Sequence, residues 1–95
     1  MNLSTEDIDR VREMSAALLP PSEIAILLGL KADERDEFVE VCKNHRHSDI
    51  YMAYQQGRLE TKYELRRTVI KLAKAGSPAA EPLADAYLRE QSIKE

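Results

Sequence analysis

Proline and glycine interrupt this chain at few places, and their positions leave room for little except helices. Pro20 and Pro21 are adjacent, Pro78 and Pro82 stand close together near the end, and the three glycines are Gly29, Gly57 and Gly76. Between them run stretches rich in Ala, Leu, Glu, Arg and Lys, the residues that lose least on entering a helix. Alternating β-branched runs joined by hairpin dipeptides are missing, so the pattern predicts an all-α fold of about five helices. A chain of 95 residues suffices for one modest core and not for a second independent domain.

Ser4 with Asp7, or Thr5, caps a first helix whose apolar positions Ile8, Val11, Met14 or Ser15, and Leu18 recur at helical spacing until Pro20 and Pro21 end it. A short second helix starts at Pro21 or Ser22, carries Ile24, Ala25, Leu27 and Leu28 on a wide apolar stripe, and stops at Gly29. Asp33, with Asp36 or Glu37, caps a third that runs through Phe38, Val39, Val41 and Cys42 to about Asn44 or His45. Ser48 opens a fourth, with Ile50, Tyr51, Ala53 and Tyr54 followed by Thr61, Leu65, Val69 and Leu72; one long helix bent near Gly57 is expected in preference to two. Gly76 ends it, and Ser77 caps a last helix carrying Leu83, Ala84, Tyr87 and Leu88. The expected organisation is a helix-turn-helix-like part over residues 1–46 and a helical oligomerisation part over 47–95, together forming one compact domain.

The stretch "PPSEIAILLGL" fits the start of a helix-turn-helix: Ala25 gives the small contact where two helices cross, Gly29 the turn, and Ile24, Leu28, Leu30 and Phe38 pin both helices to a core. The helix after the turn opens with Asp33, Glu34, Asp36, Glu37 and Glu40 against a single Arg35. DNA binding depends on Lys and Arg replacing counterions at phosphates, so these carboxylates oppose entry into a major groove. A helix-turn-helix used for packing is the first reading, and one that reads DNA the second.

The net charge of −3 conceals a segregation. Residues 1–42 hold ten acids and four bases, residues 43–74 eight bases and three acids, and the remainder four acids and two bases. The basic middle includes Lys43, Arg46, Arg58, Lys62, Arg66, Lys71 and Lys74, several at spacings of three or four on a helix flank. Such a flank either grips phosphates or is a solvated helix face.

Little else points to chemistry. Cys42, His45, His47 and Asp49 are near neighbours, but the two histidines are two apart and point to different sides of a helix, so no metal site is expected. Glycine-rich phosphate loops, a nucleophile elbow and the HExxH pattern are missing, which predicts no enzyme and no cofactor. The single cysteine, the want of a long apolar run and the charged start predict a cytoplasmic protein that does not enter membranes.

The ordered combination of "PPSEIAILLGL" and "IYMAYQQGRLETKYELRRTVIKLAKAGSPAAEPLADAYL" resembles the small subunits of tailed-phage terminases and related prophage DNA-packaging proteins. The match covers roughly residues 20–90, and its most specific positions are Ala53, Tyr54, Gly57 and Arg58, then Leu72, Ala73, Gly76, Ser77 and Ala80. The resemblance implies a non-enzymatic assembly that forms rings, binds viral DNA through its N-terminal part and recruits a terminase large subunit. It implies DNA contact by Lys31, Arg35, Lys43 and Arg46, to which the basic flank adds Arg58, Lys62 and Arg66. The alternatives are a helical protein-interaction module without DNA binding and a helix-turn-helix transcriptional regulator.

Overall fold

A computed structural model describes residues 1–94. The described residues form five helices and no strand: α1 (Thr5–Ala16), α2 (Pro21–Leu27), α3 (Ala32–Asn44), α4 (Asp49–Lys74) and α5 (Glu81–Lys94). The protein is all-α, as its punctuation requires. None of these helices is long and apolar enough to cross a membrane.

The chain forms two compact units, Met1–Thr61 and the part from Lys62 onward. The division falls inside α4, and Ile50 and Ala53 of α4 belong to the core of the first unit. Val11 from α1, Ile24 and Ala25 from α2, and Phe38, Val41 and Cys42 from α3 complete that core. Leu3, Ile8, Met14, Leu19, Leu28, Leu30 and Tyr54 pack around it half-buried.

The ends of the helices follow from local chemistry. Ser4 caps α1, its Oγ accepting from the Asp7 N–H at 3.1 Å, and Ser48 does the same for α4 through the Tyr51 N–H at 3.0 Å. Pro21 is the first residue of α2 and Pro20 its cap, so Ser22 lies inside the helix and not at its boundary. The cap of α3 is Lys31, not Asp33: its N–H donates to Glu34 Oε1 at 3.0 Å, so the carboxylate inside the first turn does the capping.

Three helices stop in one manner. After α2 and α4, Gly29 (φ 78°) and Gly76 (φ 91°) turn the backbone left-handed. The next N–H then reaches back to the last turn, Leu30 to the Ala25 carbonyl at 3.2 Å and Ser77 to Leu72 at 3.0 Å. After α1 the same geometry falls on Leu18 (φ 65°), with Leu19 donating to the Met14 carbonyl at 3.3 Å. The helix therefore ends at Ala16, ahead of the prolines. Leu18, expected on its apolar face, is instead largely exposed, and so is Leu27 on α2.

α4 runs without interruption through Gly57. The glycine is buried because α1 crosses there: a Cβ at this position would collide with the Ser15 hydroxyl and the Arg12 carbonyl. One turn on, the Thr61 hydroxyl donates to the Ala16 carbonyl at 2.5 Å. Ala53, Gly57 and Thr61 recur every four residues on one face of α4, which lets the backbones approach.

The second unit pairs the end of α4 with α5. Ala80 is its one buried apolar side chain among the described residues. Ala80 and Glu81 both donate backbone N–H groups to the Ser77 carbonyl at 3.2 Å, so Ser77 turns the chain ahead of α5 instead of capping it. Leu65 and Leu72, expected in the interior, are half exposed, and Leu83, Leu88 and Ile93 of α5 also face outward.

Candidate nucleic-acid interface

The seven cations singled out in the sequence are placed very differently. Arg35 is half-buried and donates from Nη1 to the Leu30 carbonyl at 3.3 Å, which ties it to the turn between α2 and α3. Lys31 is exposed at the start of α3 beside its capping Glu34. Arg58 is half-buried and donates to Gln55 Oε1 at 3.0 Å. Lys43, in the last turn of α3, and Arg46, in the turn that follows, are exposed and have no ion-pair partner among the described residues.

Lys62 and Arg66 are engaged. Arg66 Nη2 lies 2.6 Å from Glu90 Oε2, Lys62 Nζ lies 3.7 Å from Glu90 Oε1, and Lys94 Nζ adds a third contact to Oε1 at 3.2 Å. The Arg66 guanidinium also sits over the Tyr87 ring, 4.1 Å from its centroid. Arg66 first, and then Lys94, hold the Glu90 carboxyl well below the usual carboxylate range, at about 2. Nothing in the local spacing of α4 discloses this partner, which comes from another helix 24 residues later.

Arg67, Lys71 and Lys74 are exposed and form no ion pair among the described residues. At steps of four and three they share one face of α4, together with the exposed Tyr63. Arg67 is not among the seven cations that the sequence pattern singles out, although the "LRR" doublet and its spacing to Lys71 are a visible signal.

α3 presents Asp33, Asp36, Glu37 and Glu40 to solvent. Glu37 Oε1 forms an ion pair with the Met1 amine at 3.4 Å, and Glu40 accepts from Asn44 at 2.9 Å. Most of the exposed charge of this helix is thus negative, the wrong sign for a phosphate backbone.

Cys42 is a core residue. It is fully buried, and burial pushes its thiol up to about 12, so it stays protonated at neutral pH and its side chain packs as a small apolar group. His45 and His47 are both exposed, and no group of three metal-ligating side chains occurs among the described residues.

No family model matches the chain, and neither a curated protein nor a solved structure matches it.

Proposed function

We propose that this chain is a non-enzymatic, DNA-binding assembly protein of the kind that terminase small subunits represent, working beside a large terminase subunit in phage or prophage DNA packaging. The observation that carries the reading is the second unit, whose helix pair exposes both apolar side chains and unpaired cations. Ile70, Ala73, Ala84 and Leu88 line an open groove. Leu72 stands two residues from Ile70, roughly 200° around the helix, so apolar surface lies on two different flanks. Two unlike flanks suit head-to-tail contacts between copies, which close into rings when the rotation permits.

Arg67, Lys71 and Lys74 supply phosphate-binding charge on the same unit. The helix-turn-helix of the first unit then serves mainly as a packing device, with Lys31, Lys43 and Arg46 among its exposed cations. A protein-interaction module is the second reading, and the acidic face of α3 favours it.

Light scattering with and without a duplex DNA fragment, at low and moderate salt, separates the two. A multi-subunit mass that takes up DNA in a steeply salt-dependent manner supports packaging. A monomer or dimer indifferent to DNA leaves the interaction module.

A further inference from the structure

Glu90 holds more positive charge than a helix clasp requires. Three cations from two helices converge on its one carboxylate, Arg66 at 2.6 Å, Lys94 at 3.2 Å and Lys62 at 3.7 Å. A single ion pair would join α4 to α5, whereas among the described residues three cations here share one carboxylate. The Tyr87 ring beneath Arg66 fixes where its guanidinium sits. All the charged side chains are about one third exposed or more, so anions from solvent reach them without unfolding.

We propose that Lys62, Arg66 and Lys94 form a binding site for a phosphate group, and that Glu90 is a built-in, displaceable occupant that masks it. Arg66 meets a phosphate oxygen with the same planar fork that it offers a carboxylate, and the lysines act as point charges beside it. A single phosphodiester carries the same charge as the carboxylate, but neighbouring phosphates of a duplex, or the linked phosphates of tripolyphosphate, together bring more negative charge to the three cations than one carboxylate does. Exchange needs only that the Glu90 side chain swing outward. The inference deepens the DNA-binding reading by naming cations that contact phosphate only after Glu90 yields, whereas Arg67, Lys71 and Lys74 are accessible from the start.

Glu90→Gln tests this, because glutamine keeps a hydrogen-bond acceptor for Arg66 and removes the charge. The full chain is titrated with inorganic tripolyphosphate, followed by NMR at the Arg66 side chain and Tyr87 ring, and with labelled duplex DNA by anisotropy over a salt series. Glu90→Gln should bind tripolyphosphate more tightly than the wild-type chain. It should bind DNA with a log–log salt slope steeper by about 0.9 for each phosphate gained. Adding Arg66→Gln to it should bring both values back toward wild type, whereas Arg66→Gln alone should change them little.

Equal tripolyphosphate affinity in the wild-type and Glu90→Gln chains overturns the mask, as does a large loss of binding from Arg66→Gln alone. If circular dichroism shows Glu90→Gln to have lost helix, Glu90→Asp, which shortens the reach but keeps the charge, takes its place. It should also loosen the mask and raise tripolyphosphate affinity, and an unchanged affinity overturns the proposal. A gain toward tripolyphosphate with no DNA uptake by any variant leaves the site standing and removes the DNA-binding reading instead.

Discussion

Gly57 of α4 lies directly against the Ser15 hydroxyl of α1, with no space between them for a methyl group. The glycine is therefore a packing residue inside a continuous helix and not a break in it. In an exposed helix interior, replacing Gly by Ala stabilises by about 1 kcal/mol. Here the sign should reverse: Gly57→Ala must push α1 off α4, an overpacking cost of about 1–3 kcal/mol that outweighs the helix propensity gained. Urea denaturation followed at the far-UV helix signal decides it, and a raised midpoint would show that α1 and α4 do not touch there.

Leu18→Gly should act in the opposite direction. Leu18 takes a left-handed backbone at φ 65° and is 52% exposed. Relief of the left-handed penalty, about 1–2 kcal/mol for an L-residue, exceeds the roughly 0.5–1 kcal/mol lost to glycine's extra freedom. A net gain of up to about 1 kcal/mol is expected in thermal or urea unfolding. A loss would mean that the Leu18 side chain is needed elsewhere.

Phe38 is the largest fully buried side chain. Phe38→Ala should cost about 3–5 kcal/mol in chemical denaturation. A change below about 1 kcal/mol would place Phe38 outside the core.

Acid should loosen the contact between α4 and α5. The folded carboxyl of Glu90, held at about 2, lies below its ordinary value of 4.5. Its contribution is therefore fully present above about pH 4.5 and is lost as the pH falls through about 2. The carboxyl carbon of Glu90, followed by NMR, should titrate near 2, and Arg66→Gln should return it toward the ordinary range. Titration at the ordinary value in the unaltered chain would remove the ion-pair cluster.

The assembly reading rests on leucines that one copy leaves outside. Leu65→Ser combined with Leu72→Ser should lower the mass measured by light scattering while the helix content of the first unit persists. These side chains are about half exposed, so little stability within one copy depends on them. An unchanged mass would assign self-association to other residues or to none.

Much of the fold was legible in the sequence. Ser4, Pro21, Gly29 and Gly76 mark boundaries through local chemistry, and the spacing of Val11, Ile24, Phe38, Val41 and Cys42 marks the core face. The misses were tertiary. Gly57 looked like a weak point because a missing side chain carries no sign of what lies against it. Leu18 was placed on a helix because nothing in leucine announces a left-handed turn. Leu65 and Leu72 have the spacing of interior residues, and periodicity does not say whether anything packs over that face; here it is about half exposed. Lys62 and Arg66 read as free cations because Glu90 is distant along the chain. Arg67 is legible from the sequence, in the "LRR" doublet one helical step before Lys71.

Cys42 provides the protein with a clock of its own. It is the single thiol of the chain, shut inside the first unit, and an alkylating reagent meets it only when α3 comes away from its neighbours. The rate of modification therefore reports how often the core of the first unit opens, with no contribution from the second unit, which contains no cysteine. The same reading can be taken on the free chain, on an assembly or in the presence of DNA, without changing a residue.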